Sequence, residues 1–360
     1  MRGMYIGSIY DFVLSLISFW ALLNIIYISR KEWFVSRGIK LYYGVVLIYK
    51  KPYDVKPSPL ISKVSYVSIP LALIGIYMFY SAMIMSLISK LGVLKTGVTV
   101  QLLIPGINIT GIFLLYFAIA VVIAAAAHEF AHAYVARSHN IPVKGLGFAI
   151  ILFVPIAFTE IDEESFPRAS KKARILTLSA GPASNIALAL FFMVLLIPLV
   201  SSYGYIITNV VENSLAEHIG LKPGYIILKV NGTQATLQAL HSYLGLNKTV
   251  RLILTVYIPQ NNSLVNISFL KPASTHLLGV YLQASPGLWL IKSVGINMAE
   301  FIVGLAQWIY LVNMSLGIIN IAPLFITDGG RIVYEIIGSK TVSHIINILT
   351  LLILVLALAP

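Results

Sequence analysis

Six runs of about 20 apolar residues constrain this chain most, because a helix of that length crosses a hydrocarbon core of roughly 30 Å. They fall near Ile9 to Ile28, Val67 to Ile88, Gly111 to Val135, Ile175 to Val200, Met298 to Ile319 and Val342 to Leu358. Of the 360 residues 58% are hydrophobic and only 11% charged, against roughly 25% charged in a soluble domain. That excludes an ordinary soluble enzyme and a disordered protein. The first run lacks a small-residue cleavage site and is followed directly by Arg30-Lys31, so it reads as a retained span and not a removed signal peptide. A seventh run, Gly145 to Phe158, is shorter and contains Pro155; it fits a re-entrant or buried segment. The expected fold class is therefore a polytopic α-helical membrane protein of about six transmembrane helices with a short re-entrant segment.

The net charge of +12 sits mainly in two connections. One carries Arg30, Lys31, Arg37, Lys40, Lys50, Lys51, Lys56 and Lys63, the other Arg137, Lys144, Arg168, Lys171, Lys172 and Arg174. Cations beside apolar runs orient helices against anionic lipid, so both loops are expected on the cytoplasmic side. The expected partner of the charge is thus the lipid bilayer and not nucleic acid. This places the N-terminus and the segment from about Ser202 to Leu288 outside the cytoplasm in a multi-pass cell-membrane protein. The glycosylation-type triplets at Asn108, Asn231, Asn247, Asn261 and Asn266 fall on that outer side.

Between Tyr203 and Ser285 the pattern changes to short β-rich stretches. Ile206 to Val210, Ile226 to Val230, Val250 to Tyr257 and Leu264 to Leu270 are strand candidates separated by turn signals such as Pro223-Gly224 and Asn231-Gly232, with one helix at Leu237 to Leu244. About 80 residues make a small extracytoplasmic α+β domain. The expected organisation is 1–110, two spans with a basic loop; 111–202, the first part of a membrane core; 203–287, the inserted domain; and 288–360, the second part of the core and a last span.

Cysteine is absent, so any metal must be held by histidine and carboxylate. The third run ends in Ala124-Ala-Ala-Ala-His128-Glu129-Phe130-Ala131-His132. On a helix, His128 and His132 share one face about 6 Å apart, which lets two imidazoles bind one zinc ion, with Glu129 beside it as general base. Such polar groups inside an apolar span are costly unless they bind something or line a wet cavity. Arg137 marks the expected cytoplasmic end, so His128 lies roughly 13 Å inside. The third ligand is expected to be Asp328, in Asn320-Ile-Ala-Pro323-Leu-Phe325-Ile-Thr-Asp328-Gly329-Gly330, at the same depth. Asp328 also fits the N-terminus of a following helix, and the two roles are compatible. Glu300 and Asp11 lie near outer span ends. Zinc, one per chain, is the expected cofactor, although two histidines and one carboxylate also suit iron. His139, His218, His241, His276 and His344 have no partner spacing and are given no role.

These residues resemble the site-2 protease family of intramembrane zinc metalloproteases. The resemblance rests on His128-Glu129-x-x-His132, on Asn320-x-x-Pro323 followed by Asp328-Gly329, and on Gly181-Pro182-Ala-Ser-Asn185 near the start of an intervening span. It covers about Gly111 to Gly330. One position departs: Phe325 stands where the family usually has a second proline. The resemblance implies that His128, His132 and Asp328 ligate zinc and that Glu129 activates the zinc-bound water and returns the proton to the leaving amine. It also implies that Asn320, with Asn185 contributing similarly, holds substrate backbone or the developing oxyanion. Asn185 is equally readable as a polar clamp between helices, and Gly181 and Pro182 as shaping a helix start. The family further implies a re-entrant β element at Gly145 to Phe158, which can offer a strand edge to an unwound substrate; simple core packing is the alternative. Glu160, Asp162, Glu163 and Glu164 read as a solvated face first and a gate second. The stretch Asn213 to Gly232 looks like a PDZ signature, with Leu215 and Tyr225 replacing its proline and aspartate.

The expected function is hydrolysis of peptide bonds in transmembrane helices of membrane-protein substrates, in regulated intramembrane proteolysis. Those substrates are expected to be trimmed first by another protease. A non-catalytic scaffold that grips membrane helices is a second reading, and a transporter using intramembrane carboxylates and histidines a third. No residue names the substrate or the oligomeric state.

Overall fold

The computed structural model describes residues 4–52, 55–152 and 154–359, and the chain divides into two compact units, Met1–Phe191 with Trp308–Pro360 and Phe192–Gln307. Among the described residues five helices are long and apolar enough to cross a membrane: Pro59–Lys90, Ile112–Ser138, Lys171–Leu199, Ile296–Ile321 and Lys340–Leu358. The first expected run forms helix α1 (Met4–Ser29), of which Val13–Ser29 is the apolar stretch within the described residues.

In the first unit, α1 is followed by a short helix α2 (Lys31–Val35) and a hairpin of β1 (Ile39–Tyr42) and β2 (Val46–Lys51). The segment α3 (Pro59–Val64) starts with Pro59 at its first position and Ser58 accepting from the Ile61 N–H, the arrangement that satisfies the free donors of a helix start. It runs through one 3-10 turn into α4 (Ser68–Lys90). Then come α5 (Ile112–Ser138), a second hairpin of β3 (Val143–Ile151) and β4 (Val154–Ile161), the single turn α6 (Ser165–Arg168) and α7 (Lys171–Leu199).

The four strands form one antiparallel sheet in the order β1-β2-β3-β4. The expected re-entrant run is thus a hairpin, apart from Phe153, which lies outside the described residues; it is extended on one side by two strands from the basic connection. Those strands follow from alternation in Ile39-Lys-Leu-Tyr and from a tight turn with Tyr43 and Gly44 both at positive φ (52° and 73°), which leaves Tyr43 to Val45 between the paired Tyr42 and Val46. Helix α1 holds both turns: Trp20 Nε1 donates to Leu152 O (2.7 Å) and Asn24 Nδ2 to Gly44 O (2.7 Å). Two members of the acidic cluster are paired. Glu160 meets Lys50, and Asp162 meets Lys144 at 2.7 Å and accepts from the Ser165 N–H. The Lys144 and Ser165 hydrogen bonds hold the Asp162 carboxyl well below the usual range.

The second unit is built on an antiparallel sheet of β5 (Val200–Val210), β6 (Ile226–Val230), β7 (Thr233–Gln234), β8 (Val250–Ile258), β9 (Ser263–Lys271) and β10 (Val280–Pro286), in the order β10-β5-β6-β8-β9 with β7 on β6. Helices α8 (Leu215–His218), α9 (Leu237–Leu244) and α10 (Leu288–Val294) accompany it. The doubly apolar pairs in its strands have a reason. Ile207, Ile227 and Val256 enter one core with Leu240 and Leu252, while Ile206, Ile226 and Tyr257 enter a second with Leu290 and Ala299. Successive residues point to opposite faces, and here both faces are covered.

Helix α11 (Ile296–Ile321) leads back to the first unit, which closes with α12 (Asp328–Ile337) and α13 (Lys340–Leu358). There α4, α7, α11 and α12 share a core of Ala72, Leu178, Ile321 and Ile332, and Phe79 and Met83 of α4 pack with Leu324 and with Ala357 of α13.

Lys271 at the end of β9 is fully buried, and its ammonium donates to Leu246 O, Pro272 O and Thr275 O at 2.7–2.8 Å. Lys271→Met removes the donor shared by three carbonyls and is expected to cost about 3 kcal/mol. Hydrogen exchange of the β8 and β9 amides measures this; unchanged protection would remove the clamp from the account.

Candidate metal centre

The buried stripe of α5 reads Tyr116, Ala120, Ala124, His128, His132 and Ala136, a four-residue repeat that keeps one face toward its neighbours. The alanines of that stripe leave room for α7, and the two histidines lie in it one turn apart. Asp328 opens α12. The three residues converge: His128 Nε2 lies 3.1 Å and His132 Nε2 3.2 Å from Asp328 Oδ2, and the two Nε2 atoms are 3.0 Å apart. Both histidines are buried and Asp328 is half-buried.

The outer nitrogens of the rings fix which atoms carry protons. His132 Nδ1 is 2.7 Å from Thr177 O, and a carbonyl only accepts, so that nitrogen is the N–H. Asn185 Nδ2 donates to Ala124 O (2.9 Å) and to Asn313 Oδ1 (3.0 Å). Its Oδ1 is therefore the atom that accepts from His128 Nδ1 at 2.7 Å. Asn313 Nδ2 in turn donates to Ile309 O. In its neutral form each imidazole then directs its Nε2 lone pair toward the other ring and a carboxylate oxygen.

Three potential acceptors at 3.0–3.2 Å need a cation among them, a proton or a metal ion, to offset their repulsion. Their separations approach the about 3.3 Å edge of a tetrahedron built on zinc–ligand bonds of 2.0–2.1 Å. Two histidines and one carboxylate, each ring held through its other nitrogen, are the donor set and support of a catalytic zinc with one open position. The site fits the metal.

Local backbone explains how the ligands stay in register. A Cβ on Gly181 would come within 2.6 Å of His128 Nε2 and closer still to His132 Nε2, so only glycine lets α7 pass here. Gly181 lies ten residues inside α7, which differs from its expected place at a helix start; the helix begins earlier, at the charged turn Lys171-Lys172. The loop before Asp328 is gathered by Thr327, whose Oγ1 donates to Ala322 O (2.6 Å) and accepts from the Leu324 and Gly330 N–H groups.

Glu129 follows His128 and is half-buried. Its carbonyl accepts from Thr159 Oγ1 at 2.7 Å, so β4, an outer strand of its sheet, runs beside it. Asn185 is fully buried against His128, whereas Asn320 sits half-buried in the last turn of α11. Among the described residues no hydrogen bond joins Asn320 to the cluster. Sequence reasoning missed Asn313 and Thr177. An asparagine in mid-span was the available signal for the first; a backbone carbonyl gives none.

Asn185→Ala is expected to weaken zinc binding about 10- to 100-fold with the helices retained, and Gly181→Ala to displace the rings and lose more. Chelator competition on purified protein reads both. An unchanged affinity in Asn185→Ala would mean that the ring needs no support from it.

With this geometry in view, the comparisons with known proteins are informative. The sequence model of peptidase family M50 matches residues 116–359. The chain is 27% identical over 281 residues to "Uncharacterized protein MJ0971" of Methanocaldococcus jannaschii, covering 74% of this chain and 69% of the relative. It is 26% identical over 231 residues to "Putative zinc metalloprotease Cj1068" of Campylobacter jejuni, covering 50% of this chain and 63% of that relative. The family match takes in both helices that supply ligands and more than half of the chain, and the chain belongs to peptidase family M50, the site-2 protease family of membrane metalloproteases.

Proposed function

We propose that the protein is an intramembrane zinc endopeptidase that cleaves transmembrane helices of membrane-protein substrates. The observation that carries this reading is the convergence of His128, His132 and Asp328, the two histidines on a helix apolar enough to span a membrane, with Glu129 adjoining. Bound zinc would lower the pKa of a water molecule and polarise the scissile carbonyl. Glu129 takes the proton of the attacking water and returns it to the leaving amine. Asn185 keeps the His128 ring turned to the cluster. Asn320 is assigned to the substrate backbone or the developing oxyanion.

A helical substrate hides its amides in its own hydrogen bonds, so it must become extended before attack. Strand β4, at the edge of its sheet and joined to Glu129 through Thr159, is assigned to pair with the extended segment as an added strand. The topology assigned here has six spans including α1, the N-terminus and the β5–β10 unit outside the cytoplasm, and the active site toward the cytoplasmic half. The β5–β10 unit is read as a PDZ-like domain that admits substrates after another protease has trimmed them, as regulated intramembrane proteolysis requires. Family membership and the intact ligand set leave no observation in favour of a scaffold or a transporter.

The test uses the full chain in lipid vesicles with a panel of single-span reporter proteins already trimmed outside the membrane. Glu129→Gln is expected to lower cleavage by about 10²- to 10⁴-fold with zinc content unchanged, and His128→Ala and Asp328→Ala to lose zinc and cleavage together. Zinc-loaded protein that cuts no member of the panel, or cleavage that survives Glu129→Gln, would overturn the reading.

A further inference from the structure

A second polar cavity lies apart from the ligand atoms, between α12 and α13 in the first unit. It has a volume of about 340 Å³ and is lined by Phe325, Gly330, Arg331, Tyr334, Lys340, Ser343, His344 and Asn347. Arg331 and Tyr334 come from one face of α12, and Lys340, Ser343, His344 and Asn347 from one face of α13, at spacings of three and four residues. Phe325 and His344 close one end, with ring centroids 5.6 Å apart. The wall contains no acidic residue, and neither Arg331 nor Lys340 has an ion-pair partner among the described residues; the nearby Glu335 is taken by Arg174. Asn347 is 95% buried, and its side-chain oxygen has no hydrogen-bond partner. An amide oxygen accepts, so it does not itself draw an anion; the two cations do.

Two cations without ion-pair partners among the described residues, on a wall free of acid, call for an anion. Arg331 offers a planar fork and Lys340 a point charge, a pair suited to phosphate oxygens. Lys340 also opens α13, whose N-terminal end carries partial positive charge. The anion should further be part of an amphiphile. Beyond the cavity, α13 presents Val342, Ile345, Leu349 and Leu352, all exposed, on a helix apolar enough to span a membrane.

We propose that this cavity binds the phosphate of an anionic phospholipid, with the acyl chains along α13. The inference rests on the membrane placement of α13 and not on the protease chemistry. Its consequence for the metal centre follows from α12. Gly330 lines the cavity and takes part in the Thr327 knot that precedes Asp328. A lipid clamped between Arg331 and Lys340 braces the helix that begins with a zinc ligand.

The experiment measures the thermal midpoint of the full chain in neutral detergent while phosphatidylglycerol, phosphatidylcholine or inorganic phosphate is added. Phosphatidylglycerol is expected to raise the midpoint saturably by about 5 °C, and phosphatidylcholine by much less. The shift should vanish in the Arg331→Ala/Lys340→Ala variant and in Asn347→Asp, which sets a carboxylate against the phosphate, with zinc content retained in both. It should persist in Lys40→Ala/Lys56→Ala, which removes the same charge from exposed positions elsewhere. Equal loss in that control would reduce the effect to general surface charge and overturn the proposal. An equal shift with inorganic phosphate would overturn the lipid as source, and displacement of phosphatidylglycerol by a soluble acidic peptide would do so in favour of a protein segment. Failed cleavage in the protease test leaves these readouts untouched.

Discussion

The first unit depends on one constraint: polar side chains set among apolar helices must find their partners inside the protein. The chain meets it with a directed line of hydrogen bonds. Ile309 O, Asn313, Asn185 and the Nδ1–H of His128 each supply what the next requires, and Thr177 O does the same for His132. The direction of the line turns both Nε2 atoms toward Asp328. Hydrogen bonding that would otherwise serve only to satisfy buried amides therefore also orients a candidate metal site. It also joins α5, α7 and α11 at one depth, since each supplies a member.

Such a line works only if the helices lie close. Small residues allow that approach: Ala120, Ala124 and Ala183 are buried at or near contacts, and Gly181 faces the imidazoles directly. In a membrane the hydrophobic effect does not press helices together, so close packing and interhelical hydrogen bonds carry association. The residues that let the helices touch and those that hold the ligands are consequently neighbours. The Gly181 to Asn185 segment contains one of each, four residues apart on α7.

Much of this was legible in the sequence, and the limits have physical causes. Five of the six apolar runs stand as complete apolar helices because length and hydropathy suffice to define them. The strands at Ile226–Val230 and near Val250–Tyr257, and the helix at Leu237–Leu244, lie where alternation and turn residues put them. His128, His132 and Asp328 were readable because their spacing serves a metal and little else. The hairpin β1-β2 was missed, since its lysines served the orientation argument and drew attention from the alternation beneath them. β10 was missed because its pairing with β5 joins residues about 70 apart, a partnership no local pattern records. Asn185 was left between two readings; its partner Asn313, on a different helix, is what separates them.

Phe325 shows how a local departure is absorbed. Where family members usually carry a second proline, this chain has a half-exposed aromatic ring packed on His344 of α13. A proline would restrict the backbone between α11 and α12 by its ring. Here the same turn is held by Thr327, which joins Ala322, Leu324 and Gly330 through one hydroxyl. Gly329 and Gly330 help as well, because a Cβ at either would strike the carbonyls of Ile321, Ala322 or Leu324. The bend ahead of Asp328 therefore depends on hydrogen bonds and close backbone contact, and its rigidity depends on how firmly α12 is held. That makes the α12–α13 contact part of what positions the carboxylate.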